Sequence, residues 1–170
     1  KYGIPIISII DTPGAYPGMG AEERGQGQAI ANNLLEISKL KTPIISIVIG
    51  EGASGGALGI GICDRMLMLE NTWYSVISPE ACASILWHDT SKAKQAAESL
   101  KLTSKDLKNM GICDRIIKEP VGGAHSDPDK MFAILKKVVF DELKELEIFP
   151  KESLFDKRIE KYDKMGDFIN

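Results

Sequence analysis

The sequence predicts an α/β fold built around a parallel β-sheet that is covered on both faces. Two apolar runs, residues 4–10 and 44–49, have the near-continuous Ile and Val content that is typical of buried parallel strands. Between them, apolar residues recur at helical spacing over residues 21–40, which completes a β–α–β unit. A loop rich in glycine follows each strand, at residues 11–20 and 50–56, and the two loops are expected to form one site.

The remaining elements are predicted from periodicity and from helix start and stop signals. Pro43 ends the first helix, and a short helix over residues 55–62 follows the second glycine loop. Ser78 and Pro79 have the residue types of an N-cap and a first helical position, so a helix is expected through Trp87. The other predicted strands are residues 65–69, 74–77 and 113–117, and the other predicted helices are residues 92–100, 104–110 and 128–146.

The domain organisation is predicted from the ends of the chain. Residues 1–150 are expected to form one α/β domain, and residues 151–170 a charged helical tail that packs on the body or on a partner. The first strand follows residues 1–3 directly, without a starting Met, so we expect a piece of a longer protein that lacks neighbouring strands.

Composition excludes several classes of function. A formal net charge of -3 over 170 residues does not suit a nucleic-acid binder, and no apolar run is long enough to span a membrane. Three separated cysteines indicate a reducing compartment, the cytoplasm, rather than a disulfide framework. Neither CxxC spacing nor paired histidines are present, so no metal site is expected in this chain.

Two nucleotide-binding patterns match only in part. Gly50, Gly52 and Gly55 satisfy GxGxxG, but the next strand begins too soon for the parallel crossover that a dinucleotide fold requires. Asp11 and Gly14 satisfy the DxxG of a GTPase switch, but the phosphate-binding GxxxxGK[ST] and a guanine-reading motif are absent. Both interpretations are disfavoured.

A serine hydrolase remains an alternative. Ser54 lies among small residues at 52–56, much as in Clp-type and signal-peptide-degrading proteases. A nucleophilic serine needs a base within hydrogen-bond reach, and His88 and the less suitable Lys92 are the candidates. The simpler interpretation is that Ser54 is a small residue that suits a tight turn.

A double oxyanion site is the hypothesis that the two glycine loops favour. Main-chain N–H groups at a helix start stabilise negative charge without a titrating side chain. Two such loops suit a reaction that joins an acyl thioester to a carboxyl donor.

Four segments of the chain resemble one known family, the alpha subunit of bacterial acetyl-coenzyme A carboxylase carboxyltransferase. They are residues 10–26, 49–58, 74–87 and 119–125, and they occur in the family's order. Ala53 stands where the family often has glycine, and the family's long N-terminal segment is absent. The resemblance implies a crotonase- or Clp-like spiral of ββα units, truncated at the N-terminus.

The resemblance also implies a reaction and its partners. The family transfers a carboxyl group from carboxybiotin, held on a biotin carboxyl carrier protein, to acetyl-coenzyme A, which gives malonyl-coenzyme A for fatty acid biosynthesis. The freed biotin nitrogen then takes the methyl proton, so no side-chain base is needed. A beta subunit of the same fold completes the site, in an expected alpha2beta2 assembly. An inert fragment of that complex remains the other alternative.

Site residues follow from the same resemblance. The backbone N–H groups of Gly55 and Gly56 are expected to polarise the biotin ureido oxygen, with Gly14 and Ala15 as secondary donors. The residues expected to contact substrate are Tyr16, Arg24, Gly52, Ala53 and Ser54. For Arg24, an exposed ion pair at the helix start is the simpler alternative, and for His125 a local hydrogen bond is simpler than a functional contact.

Overall fold

The protein was analysed as a computed structural model, which describes residues 2–166. The strands are β1 (Ile6–Thr12), β2 (Ile44–Ala53), β3 (Arg65–Leu69), β4 (Trp73–Ser75) and β5 (Arg115–Ile117). The helices are α1 (Met19–Glu23), α2 (Gln26–Ser38), α3 (Ser54–Gly61), α4 (Pro79–Trp87), α5 (Ala93–Leu100), α6 (Ser104–Asn109), α7 (Pro128–Glu147) and α8 (Lys151–Asp163). Short 3₁₀ turns lie at Thr90–Lys92 and Ala124–Ser126. None of the helices described here has both the length and the apolar character that a membrane crossing requires.

All the strand pairs in the sheet are parallel. The order is β1-β2-β3-β5, and β4 pairs with the last residues of β2, beyond the part that β3 covers. The spacing argument made from the sequence against a parallel crossover after Gly56 was therefore wrong. Because α3 begins directly at the end of β2, residues 54–64 are long enough to bring β3 back parallel to β2.

Strand β2 is buried on both faces, as its apolar run predicts, but the same prediction was wrong for the edge strand β1, where Ile10 is buried while Ile7 and Ile9 are 45% and 60% exposed. On one face Ile44 and Val48 pack with residues of α3 and α6, and on the other Ile45 and Ile47 pack with α7 and α8. All four of these β2 side chains are at most 3% exposed. The long, buried strand β2 thus holds the second glycine loop in position.

The helix predicted over residues 21–40 is two helices. Gly25, with φ 77°, adopts the left-handed conformation between α1 and α2 and breaks the axis there. The predicted start of α4 is confirmed, since the Ser78 side chain accepts from the Ala81 N–H at 3.2 Å and Pro79 is the first helical residue.

The charged segment after residue 150 packs on the body. Within α8, Leu154 and Arg158 are 2% and 1% exposed, and Arg158 lies against the end of α2. Part of the predicted tail, residues 167–170, lies outside the described residues.

Candidate functional site

The turn between β2 and α3 is strained and uncapped. Ser54, the first residue of α3, has φ 59°, which is costly for a residue with a side chain. The preceding Ala53 is the N-cap and has no side-chain oxygen that accepts a hydrogen bond. The first N–H groups of α3 therefore have no acceptor of the i−4 kind in the helix and no capping side chain.

The two glycine loops touch at Gly56. A Cβ on Gly56 would stand 2.6 Å from the Ala15 nitrogen and 2.7 Å from the Gly14 carbonyl carbon. Only a residue without a side chain allows this approach, so the contact explains why glycine occupies position 56. The sequence-based idea that both loops form one site is consistent with this contact.

The backbone donors of the two loops differ in what surrounds them. The Gly14 N–H is taken, because it donates to the Thr12 hydroxyl at 3.2 Å. The Ala15 N–H has no hydrogen-bond acceptor within residues 2–166. A Cβ on Gly55 would meet no atom within 4 Å, so this residue borders open space. Gly55, Gly56, Ala15 and Gly14 all remain predicted donors, and the N–H of Gly14 already donates to a side chain.

The other predicted substrate contacts have local partners. Gly52 is buried against the Tyr74 ring, which a Cβ there would meet at 2.4 Å. Tyr16 lies with its ring over Gly18 and stays 74% exposed. The Arg24 Nε donates to the Gly20 carbonyl at 2.7 Å, which folds the side chain back along α1. Contact of these residues with a substrate remains a prediction.

The titratable groups beneath the turn, Tyr74 and Cys63, have raised pKa values. Burial raises the pKa of Tyr74 to about 12 and raises the pKa of the Cys63 thiol. Both groups stay protonated and neutral near pH 7. No three acidic, histidine or cysteine side chains among the described residues are arranged to hold a metal ion.

Ser54 has one feature of a nucleophile and lacks another. Its exposed position on a strained strand-to-helix turn resembles a nucleophile elbow. Within residues 2–166, however, no side chain hydrogen-bonds the Ser54 hydroxyl. Neither candidate base hydrogen-bonds the Ser54 hydroxyl. His88 lies at the C-terminal end of α4, and the Lys92 ammonium lies over the Trp87 ring, 5.9 Å from its centroid.

His125 lies in a cleft of its own rather than at the glycine turn. A recess of about 810 Å³ is lined by residues that follow β3 and β5, including Asn71, Glu119 and His125. Glu119 braces it by accepting from the N–H groups of Asn71 (3.0 Å) and Ala124 (2.7 Å).

Sequence reasoning missed the side chain that shapes β2 below the turn. The Asp11 carboxylate accepts from the Glu51 N–H at 3.0 Å, next to Gly50. The pattern of Asp11 and Gly14 was considered only as a GTPase switch. The signal that points to Asp11 is the unequal length of the two paired strands. That difference can be read only from the strand register in the structure.

Comparison with known proteins identifies close relatives. A family model described as "Acetyl co-enzyme A carboxylase carboxyltransferase-like" matches residues 1–166. The acetyl-coenzyme A carboxylase carboxyl transferase subunit alpha of Chlorobium luteolum is 57% identical over 166 residues, covering 98% of this chain and 50% of that protein. The same subunit of Flavobacterium psychrophilum is 56% identical over 168 residues, covering 99% of this chain and 53% of the relative. The chain thus spans about half the length of the curated relatives it matches.

Solved structures show the fold. A Pseudomonas malonate decarboxylase hetero-tetramer in complex with coenzyme A matches with a TM-score of 0.67 at 18% identity, over 90% of this chain and 60% of that one. Transcarboxylase 12S matches with a TM-score of 0.62 at 22% identity, over 68% and 24%. A probable enoyl-CoA hydratase from Mycobacterium thermoresistibile has a TM-score of 0.54 at 16% identity, over 94% and 68%. The chain has the α/β crotonase-type fold, as the resemblance implied.

Proposed function

This chain belongs to the acetyl-coenzyme A carboxylase carboxyltransferase alpha-subunit family, and we propose that it contributes the carboxybiotin side of a carboxyl transfer to acetyl-coenzyme A. The product is malonyl-coenzyme A, the first committed intermediate of fatty acid biosynthesis. The observation that carries the proposal is the contact of two main-chain donor loops at Gly56, with open space beside Gly55.

The donors of the turn fit the ureido oxygen of biotin. That oxygen is a neutral acceptor that gains negative charge when the carboxyl group leaves, and main-chain N–H groups at a helix start favour that charge. The Ala15 N–H and the uncapped N–H groups of Gly55 and Gly56 are the residues that would hold it. When bound, carboxybiotin supplies the carboxyl group. The chain itself contributes position and electrostatic stabilisation.

Partners are proposed from exposed apolar side chains that follow β4. Val76 follows β4, whose last residue pairs with Ala53, and it is 79% exposed. Ile85 and Leu86 on α4 are 66% and 61% exposed. Exposed apolar side chains are typical of an interface, and we assign these residues to contact with the beta subunit of an alpha2beta2 assembly, with the biotin carboxyl carrier protein and acetyl-coenzyme A approaching the glycine turn. The three buried, free cysteines suit the cytoplasm.

The proposal is tested with a substitution that adds a methyl group beside the proposed ligand and in contact with no other residue. Gly55→Ala adds its Cβ to open space, so the fold keeps its contacts and α3 gains helix propensity of up to about 1 kcal/mol. In the full alpha subunit assembled with beta, the main-chain N–H of residue 55 remains, but the added methyl group occupies the space proposed for the ligand. We expect it to push the ureido oxygen away from the donors and malonyl-coenzyme A:biocytin decarboxylation to fall about 100-fold, the scale of losing one oxyanion contact. Gly27→Ala is the matched control, because Gly27 is a helical glycine of α2 whose Cβ also meets nothing within 4 Å.

Two results would count against the proposal. Equal activity of the Gly55→Ala and Gly27→Ala enzymes would remove the donor role from this turn. Failure of this chain to bind the beta subunit at micromolar concentration would favour the alternative of an inert fragment.

A further inference from the structure

We propose that Asp11 is a positioning residue, whose carboxylate holds a bulge in β2 and thereby sets where the turn at residues 52–56 stands. The inference rests on the proposed function, because it assigns a role in placing that same site. Asp11 itself touches no reacting atom. It acts through the backbone of β2.

The register between the first two strands changes at Asp11. Ile10 is opposite Val48, but Thr12 is opposite Gly52. One residue of β1 therefore faces three residues of β2, which are Ile49, Gly50 and Glu51. The sheet takes up two extra residues on the β2 side directly before the turn.

The carboxylate of Asp11 replaces the ladder acceptor that the bulge loses. Its Oδ1 accepts from the Glu51 N–H at 3.0 Å. On the opposite side, the same stretch of β2 is held by the pairing of Glu51 with Trp73 of β4. The bulge is thus fastened on both sides, by backbone on one and by a side chain on the other.

Gly50 fits this arrangement because of the carboxylate. A Cβ on Gly50 would stand 2.3 Å from Asp11 Oδ1 and 2.9 Å from its Cγ. Gly50 is outside the left-handed region, so the backbone conformation does not demand glycine there. The contact with Asp11 is the reason that remains.

The two-residue size of the bulge preserves the alternation of side chains. A shift of one residue would move every following side chain to the other face of the sheet, whereas a shift of two does not. Gly52 therefore stays on the face of Val48, where it packs against Tyr74, while the turn lies further along the sheet relative to β1. That displacement brings Gly56 against Ala15, the contact on which the proposed site depends.

The position of Asp11 makes the role separable from folding. The bond to Glu51 is exposed, so water replaces the lost acceptor and the sheet still forms. The bulge then has more than one accessible geometry, and displacement of catalytic groups by about 1 Å can cost on the order of 100-fold in rate.

The experiment compares Asp11→Ala, Asp11→Asn and Asp127→Ala in the full alpha subunit assembled with beta. We expect kcat for malonyl-coenzyme A:biocytin decarboxylation to fall by about 10- to 100-fold in Asp11→Ala with KM for malonyl-coenzyme A unchanged. Asp11→Asn keeps an oxygen acceptor and should stay within about threefold of wild type. Asp127 is the matched control, since it accepts from the Lys130 N–H at 3.1 Å, also exposed, at the start of α7.

A double-mutant cycle gives a readout that needs no activity. Gly50→Ala should lower the urea midpoint, and Asp11→Ala should restore it in the double variant, because the clashing atoms are gone. An inactive wild-type complex with this coupling intact would refute the proposed function and leave the bulge contact standing. An active complex in which Asp11→Ala turns over like wild type would overturn the positioning role, as would an equal kcat loss in the Asp127→Ala control.

Discussion

Removing the guanidinium of Arg158 should destabilise this chain far more than removing an exposed charged group such as the Lys164 ammonium. Arg158 is 1% exposed, and its Nε and Nη2 each donate to Asp64 at 2.9 Å. It also donates to four backbone carbonyls at and after the end of α2, those of Ile37, Ser38, Leu40 and Thr42. The side chain therefore caps one helix, pairs a buried carboxylate and ties α8 to the body.

The magnitude follows from what the substitution Arg158→Met leaves behind. Asp64, 6% exposed, would keep the Ile44 N–H at 2.8 Å as its donor and would lose its counter-charge. Breaking a buried ion pair from one side typically costs about 3–5 kcal/mol, because the remaining charge is uncompensated. Against a total stability of roughly 5–15 kcal/mol, this is a large fraction. For a chain of this size we expect Tm to fall by roughly 6–20 °C.

The assay is urea and thermal unfolding followed by circular dichroism. Lys164→Met is the control on the same segment, because its ion pair with Glu160 is exposed on both sides and should leave Tm unchanged. Arg158→Lys should be intermediate, since an ammonium keeps the charge but not the planar fork that reaches both Asp64 and the carbonyls. A Tm for Arg158→Met within 2 °C of the control, a difference of about 0.5–1 kcal/mol, would refute the reasoning.

Three further predictions concern the turn and the buried groups beneath it. Ser54→Gly should raise the free energy of unfolding by about 0.5–1 kcal/mol, because it relieves the left-handed strain, while Ser54→Ala should not; both are measured by urea unfolding. Ser54→Ala should keep most decarboxylase activity in the assembled enzyme, and complete loss would revive the hydrolase alternative. Burial raises the pKa of the Cys63 thiol and raises the pKa of Tyr74 to about 12. The unfolded chain therefore loses these protons at lower pH than the folded chain, with unfolded pKa values of about 8.5 and 10. The free energy of unfolding is unaffected by the two groups below those values and falls as pH rises above them. Unfolding at pH 7.5 and 10 should show that decline, and Cys63→Ala should flatten its first part.

The elements that local chemistry encodes were predictable from the sequence. The strand Arg65–Leu69 and the Ser78 cap were correctly assigned, since apolar runs and capping residues act over a few neighbours. The glycine turn was recognised for the same reason. The break at Gly25 was missed because helical spacing of apolar residues continues across it.

The features that depend on distant partners were not predictable. Arg158 stands in a charged tail and reads as solvent-exposed, yet its partner Asp64 lies 94 positions earlier in the chain. Asp11 reads as part of a loop motif until the register shows that it faces three residues of β2. In both cases the decisive quantity is a geometry between segments, which no local pattern contains.

If the proposed site works through main-chain donors, selection acts on the residues that set the path of the backbone more than on reactive side chains. In the proposed reaction no side chain of the turn has to ionise. What has to be kept is the approach of Gly56 to Ala15, the bulge that Asp11 fastens beside Gly50, and the anchoring of the start of β2 by Asp64. Substitutions at such positions act through distances of an ångström or less. Their effects on rate should therefore exceed their effects on stability wherever the altered contact is exposed, as it is at Asp11, and follow stability wherever it is buried, as it is at Arg158.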